Sequence, residues 1–292
     1  MGCCKEHERD LRGGEGKGAL GPLRNPRAVA SATATSGFEA TAALLQDWWF
    51  YATAIPAVFA FGLSKGGLGG GAGLLAVPLM ALAMSPAQAV AVMLPTIMVM
   101  DLMGLWAYRR DVDRQAFWAM LPGALVGIAL AALVFKVMSD DLVRLAIGLI
   151  AIAFCLYRWL GQPSAGRPHA VFGAFWGGLA GFTSTIAHAG GPPASIYLLS
   201  LKPTPAAFVG TMVFLFAAVN VSKVLPYALL GLFTHETLLA ALVLVPVAIA
   251  GMGLGIFVLR RFEPTLFFRV VYVLVFLTGC KLIWDGSRGL WT

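Results

Sequence analysis

Two glycine-rich interruptions in otherwise apolar sequence constrain this chain most. The first is Phe61-Gly62-Leu63-Ser64-Lys65-Gly66-Gly67-Leu68-Gly69-Gly70-Gly71-Ala72-Gly73, which runs on to Pro78. The second is Gly181-Phe182-Thr183-Ser184-Thr185-Ile186-Ala187-His188-Ala189-Gly190-Gly191-Pro192-Pro193. Helix interiors exclude glycine, which costs backbone entropy, and proline, which lacks a donor. In a lipid environment every backbone group freed by such a break needs a partner inside the protein. Matched interruptions in two halves of a membrane chain therefore mark a place where a ligand is met.

Composition places the chain in lipid. Of its 292 residues 59% are hydrophobic and only 12% are charged, where a soluble domain carries about 25% charged residues. The mean hydropathy is +0.81. The net charge of +7 is scattered over short inter-helix segments, with no basic stripe and no interleaved aromatics, which excludes a nucleic-acid surface. These cations read as topology determinants. Cys3, Cys4, Cys155 and Cys280 form no CxxC or Cys/His pattern, so neither a metal nor a disulfide framework is expected, and no cofactor is implied.

The fold class that follows is an all-α polytopic membrane protein of about eight transmembrane helices in two homologous repeats, each with a Gly-rich broken or re-entrant helix. Residues 1–40 are expected to be a disordered tail of mixed charge on the cytoplasmic side, holding Lys5, Arg9, Arg12, Lys17, Arg24 and Arg27 against Glu6, Glu8, Asp10, Glu15 and Glu39. Residues 42–160 form the first repeat, 161–168 a linker, 169–285 the second repeat and 286–292 a C-terminal tail. Spans are predicted near 47–63, 88–108, 116–135 and 142–160, then near 171–185, 206–230, 237–259 and 266–284. The pieces after each glycine break, 74–84 and up to residue 201, are too short for a full span of about 20 residues.

The halves align without gaps over a long block. A shift of 119 pairs Gly62 with Gly181, Gly71 with Gly190, Pro86 with Pro205, Asp101 with Asn220 and Tyr108 with Tyr227. Further on, shifts of 124 and 125 pair Pro122 with Pro246, Gly127 with Gly251, Arg144 with Arg269 and Trp159 with Trp284. If the short pieces re-enter, each half has four spans and the halves run parallel. If they cross, each half has five and the halves are inverted. The eight-span arrangement keeps Arg109, Arg110 and Arg114 on the cytoplasmic side but leaves Arg260 and Arg261 outside, against the positive-inside tendency. Eight spans is the arrangement favoured from sequence.

The motif Lys65-Gly66-Gly67-Leu68-Gly69-Gly70-Gly71 leading to Pro78, the motif His188-Ala189-Gly190-Gly191-Pro192-Pro193 and the duplicated short-loop plan resemble the TauE/SafE sulfite exporter family, also called the toluene-sulfonate uptake permease family. The resemblance covers roughly residues 45–288 and leaves the N-terminal tail outside. It implies a permease for sulfite, a sulfonate or another small organic anion, moved in either direction.

Several residues are candidates for substrate contact. Gly69, Gly70 and Gly71, with Gly190 and Gly191, allow backbone amides to turn toward an anion; the competing role is close helix packing through small residues. Lys65 lies in the first break, where a buried ammonium is expensive and usually functional, or else snorkels from a helix end. Ser64 and Thr183 occupy equivalent positions and offer hydroxyl donors. His188 is an anion donor or proton relay, or a locally bonded histidine. Asp101 is a proton-coupling candidate alongside His188, or a partner for Lys65 or Lys223. Asn220 and Lys223 share one helix face at i, i+3.

The function read from these features is a secondary transporter, a permease or exporter, for a small anion such as sulfite, an organosulfonate or a carboxylate, in the cytoplasmic (inner) membrane with multiple passes. Its partners are that anion and the bilayer, with no nucleic acid; the oligomeric state, a homo-oligomer included, stays open. No Walker A, Gly-x-Ser-x-Gly or His-Glu-x-x-His pattern is present, so no enzyme and no catalytic residue is expected. The alternatives are a membrane-embedded enzyme and a non-transporting membrane assembly factor.

Overall fold

The computed structural model describes residues 47–68, 74–160, 170–258 and 265–290. The expected tail at 1–40, the linker at 161–168 and the glycines Gly69, Gly70 and Gly71 lie outside the described residues. Within them the protein is all-helical, without a strand. The elements are α1 (Trp48–Leu68), α2 (Ala76–Met80), α3 (Pro86–Ala107), α4 (Arg114–Val137), α5 (Asp140–Trp159), α6 (Ala170–Ala187), α7 (Gly191–Ser200), α8 (Pro205–Leu229), α9 (His235–Val258) and α10 (Thr265–Gly289). Four of these, α3, α4, α8 and residues 235–257 of α9, are both long and apolar enough to cross a membrane.

Local chemistry explains where these helices start. Ser85 accepts from the Gln88 amide while the Gln88 side chain accepts from the Ser85 amide, a reciprocal cap with Pro86 as the first helical residue. Thr204 and Pro205 start α8 in a similar way, the threonine hydroxyl accepting from the Ala207 amide. Asp113 caps α4 and Ser139 caps α5, which leaves only Met138 and Ser139 between those two helices. At the other end of the chain, α10 continues to Gly289, past the expected boundary at 285, because Gly286 and Gly289 pack directly on Asp141 and Leu145 of α5.

Helix α1 runs five residues beyond the expected end at Leu63, so Ser64, Lys65 and Gly66 belong to its last turns rather than to a break. Packing is the reason. A side chain at Gly62 would place its Cβ 2.8 Å from the Met252 amide nitrogen, and one at Gly66 would come 2.5 Å from the Met252 carbonyl oxygen. These glycines let the backbones of α1 and α9 touch, and the contact outweighs the entropic cost of glycine in a helix. The same device joins α4 to α6, where Gly177 lies on Met120 and Gly181 on Ala124.

The contacts also fix helix directions. Gly62 meets residues 248–252 and Gly66 meets residues 252–256, so α1 and α9 are parallel. Met120 with Gly177, then Ala124 with Gly181, makes α4 and α6 parallel. Helix α1 is parallel to α3, since Lys65 bonds Asp101 and the Gly66 carbonyl bonds Tyr108. Helix α6 is likewise parallel to α8, through Ser184 with Lys223 and Thr185 with Tyr227. By contrast, α3 and α8 are antiparallel: Asp101 meets Asn220, Gly104 meets Val213, and Tyr108 clusters with Val209 and Val213. So are α5 and α10, where Gly286 meets Leu145, Gly279 meets Gly148 and the Tyr272 carbonyl meets Cys155.

A bulky residue at Gly62 must push α1 away from α9. Gly62→Leu is expected to lower stability by about 1–3 kcal/mol, the usual scale of overpacking. Gly253→Ala, where nothing lies within 4 Å of the new methyl, is expected not to lower it, since alanine removes the entropic cost of a helical glycine. Thermal unfolding of the detergent-solubilised protein reads the difference.

Candidate functional site

Helix α6 stops at Ala187 and α7 starts at Gly191, so residues 188–190 form the second break. Here His188 adopts a positive φ of 49°, a backbone conformation that costs a non-glycine residue energy and needs support from its surroundings. The support is local and long-range. The His188 and Ala189 amides donate to the Ser184 and Thr183 carbonyls, and the Thr183 hydroxyl donates to the Leu179 and Ala189 carbonyls. The His188 ring is 3.0 Å from the Val90 carbonyl through Nε2 and 2.9 Å from the Lys223 ammonium through Nδ1.

The Val90 carbonyl only accepts, so Nε2 carries hydrogen. With Lys223 as an ammonium, Nδ1 presents its lone pair and His188 is a neutral imidazole clamped between α3 and α8. The other two protons of Lys223 go to the Ser184 carbonyl at 3.2 Å and the Ser184 hydroxyl at 3.0 Å. Lys223 is fully buried, and every one of these partners is neutral.

Lys65 stands differently. Its ammonium lies 2.7 Å from Asp101 Oδ1 and 5.9 Å from the Phe61 ring centre. Asp101 Oδ2 accepts from Asn220 Nδ2 at 2.7 Å. Lys65 and Asp101 are 5% and 4% exposed, so Lys65 does not snorkel to a surface, and of the two lysines considered for Asp101 it is the one paired. A buried pair of this kind is held in place by its geometry, because breaking it leaves one charge unmatched at a cost of about 3–5 kcal/mol.

Both groups border one cavity. Its volume is about 30 Å³ measured to the centres of water-sized spheres, where about 10–15 Å³ holds one water. Lys65, Ser184, His188, Asn220 and Gly191 supply the polar lining, and Phe61, Ile97, Met212, Val213 and Phe216 the apolar lining. The space therefore suits a few waters or one small ion with several hydrogen-bond acceptors.

Of the residues singled out from sequence, Lys65, His188, Gly191 and Asn220 reach this cavity. Lys223 and Asp101 sit directly behind it, each bonded to a lining residue. Thr183 ties the break together from its far side. Ser64 is buried outside the lining. Gly190 is a packing residue, since a Cβ there would lie 2.5 Å from the Ala180 carbonyl and 2.6 Å from the Phe216 ring. Pro192 and Pro193 have no amide hydrogen, so the start of α7 offers little of the expected amide nest. The apolar wall carried no sequence signal of its own, because Phe216 and Met212 look like any lipid-facing residue. Tyr108 and Tyr227 were marked only by their equivalence, and they make equivalent bonds. Tyr108 donates to the Gly66 carbonyl and Tyr227 to the Thr185 carbonyl, both at 2.6 Å.

Because those two phenols are both buried and make matching bonds, Tyr108→Phe and Tyr227→Phe should each destabilise the protein by about 1 kcal/mol, the net value of one such bond plus the orphaned carbonyl. Equal shifts in thermal midpoint are the expected result.

Comparison with known proteins identifies the family. The family model described as sulfite exporter TauE/SafE matches residues 54–282, a stretch that contains every lining residue of the cavity. No curated protein and no solved structure matches the chain. With the match spanning both breaks and the helices between them, the chain belongs to the sulfite exporter TauE/SafE family.

Proposed function

We infer that the protein is a multi-pass secondary transporter of the cytoplasmic membrane that carries a small anion through the cavity between its two halves. Its family is a sulfite exporter permease family, and its apolar helices fit a membrane transporter. The observation that carries the specific reading is a pair of buried lysines at one small cavity, Lys65 in its lining and Lys223 directly behind Ser184 and His188. A lysine inside a membrane is retained for function, and oxyanions are what such a site recognises. Sulfite and comparably small carboxylates or sulfonates fit it; an aryl sulfonate requires Phe216 and Met212 to move.

The helix directions favour inverted repeats. Equivalent helices α3 and α8, and α5 and α10, pack antiparallel, whereas repeats related by an axis along the membrane normal would run the same way. Helix α1 is parallel to α3, so the chain between them turns back, as the crossing alternative requires. Each half then has five elements, α1–α5 and α6–α10, and the pseudo-twofold axis lies in the membrane plane through the Asp101–Asn220 bond. This replaces the parallel eight-span arrangement favoured from sequence. It also removes the charge conflict. The end of α3 and start of α4 (Arg109, Arg110, Arg114), the start of α8 (Lys202) and the end of α9, followed in sequence by Arg260 and Arg261, all fall on one side. By the positive-inside tendency that side is cytoplasmic, which puts the start of α1 and the end of α10 on the opposite face. Alternating access then proceeds by one repeat rocking against the other around the cavity.

Two measurements test this. In proteoliposomes the purified protein should accelerate sulfite flux, and Lys223→Met should slow it by at least about tenfold, equivalent to 1.4 kcal/mol; no flux across a panel of small anions by folded protein defeats the reading. In a variant lacking native cysteines, single cysteines at Asp111 and Gly231 should react with an impermeant thiol reagent from opposite sides. Labelling from the same side restores parallel repeats.

A further inference from the structure

The charges around the cavity do not balance, and the imbalance is one unit. Lys65 is matched by Asp101. His188 is neutral by the directions of its two hydrogen bonds. Lys223 hydrogen-bonds Ser184 and His188. The remaining titratable neighbours, Tyr108 and Tyr227, donate their hydroxyl hydrogens to carbonyls and carry no charge. With Lys223 protonated beside a bound anion, the described groups around the cavity carry two positive charges against one negative, a surplus of one.

We propose that Asp101 sets the charge number of the substrate, holding the cavity to monovalent anions of small size. The proposal rests on the cavity being the substrate site. A monovalent oxyanion in the cavity brings the local sum to zero, which a low-dielectric surrounding rewards, since unmatched charge there is costly. A divalent anion leaves one negative charge unmatched and is disfavoured for the same reason. For sulfite, the species carried is then the hydrogen-sulfite monoanion. The asymmetry between the halves supplies this count. Position 101 carries a carboxylate where its equivalent, Asn220, carries an amide, and only the first takes a unit of charge away from the two lysines.

The size limit comes from the apolar wall, with Phe61, Ile97, Met212, Val213 and Phe216 enclosing space for a few heavy atoms. Methanesulfonate and sulfate make a matched pair of probes, since both are tetrahedral about sulfur and close in size, while their charges are one and two. Asp101 is a positioning residue here, acting through the charge it removes rather than by touching the anion.

The test is competition against sulfite flux in proteoliposomes at fixed pH and ionic strength. The wild-type protein should be inhibited by methanesulfonate and little by sulfate. Asp101→Asn raises the surplus to two and should shift the ratio of the two inhibition constants toward sulfate by about tenfold or more, a preference of 1.4 kcal/mol. The paired replacement Lys65→Met with Asp101→Asn returns the surplus to one and should restore the preference for methanesulfonate at whatever rate it retains, an outcome that a merely structural role for Asp101 would not produce. Should Asp101→Asn fail to fold, the paired replacement and Lys223→Met decide: the first must keep the monovalent preference and the second must lose inhibition by both anions. Equal inhibition of the wild type by the two probes, or an unchanged ratio in folded Asp101→Asn, overturns the proposal. Either result with sulfite flux intact leaves the transport reading standing, whereas absence of wild-type flux removes that reading itself.

Discussion

A helix that ends inside a bilayer exposes its last carbonyls where no water is available to bond them. The structure at the ends of α1 and α6 meets that requirement. The Gly66 carbonyl at the end of α1 takes the Tyr108 hydroxyl, and the Thr185 carbonyl at the end of α6 takes the Tyr227 hydroxyl. The Ser184 carbonyl takes both the His188 amide and the Lys223 ammonium, and the Ala189 carbonyl takes the Thr183 hydroxyl. Each tyrosine sits near the end of a long helix, so satisfying one carbonyl also fixes how α3 lies on α1 and how α8 lies on α6. Helix α1 with α3, and α6 with α8, therefore each form one unit. The polar groups of the cavity are held on the inner faces of those two units.

Much of the site could be read from sequence because polar residues in apolar helices are few. Lys65, Asp101, Asn220 and Lys223 stood out on that ground alone, and the shift of 119 placed Asp101 opposite Asn220, which the structure joins by a hydrogen bond. Partner choice was less legible. From sequence Asp101 could face either lysine, and only the three-dimensional path of α1, carried to Leu68 by Gly66 packing on α9, sets Lys65 within 2.7 Å of it. Direction was not legible either. Hydropathy has no sign along the chain, so four spans and five elements per half give almost the same profile, and the glycines that reveal direction do so only through the backbones they touch. The role of Gly190 shows the same limit: a glycine that admits an aromatic ring and one that presents an amide to a ligand are identical letters.

The two halves use one plan with the charges rearranged. In the first, the lysine stands on the broken helix at position 65 and its partner on the supporting helix at 101. In the second, position 184 is a serine, and the lysine has moved to the supporting helix at 223, reaching back to that serine. Its counterpart in the first half is Gly104, which is closed by Val213 and Met252. Each half thus contributes one lysine, Lys65 in the cavity lining and Lys223 behind Ser184 and His188. The histidine of the second break occupies the position of Gly69 and clamps its lysine to α3 through the Val90 carbonyl.

For the inverted repeats proposed above, that rearrangement answers a difficulty posed by any site on a twofold axis. Identical residues meeting there give either two carboxylates, which repel and cancel both lysines, or two amides, which leave both lysines unmatched in a medium where each unmatched charge is expensive. An aspartate against an asparagine avoids both outcomes. The amide donates to the carboxylate across the axis, so the contact between repeats is kept, and a single negative charge is retained. Its second oxygen then pairs with Lys65, while the hydrogen bonds of Lys223 go to neutral partners. In the selectivity proposed here, one difference at the centre of the two halves decides the outcome: a carboxylate and an amide of nearly the same shape differ by the single charge that sets what the cavity still needs.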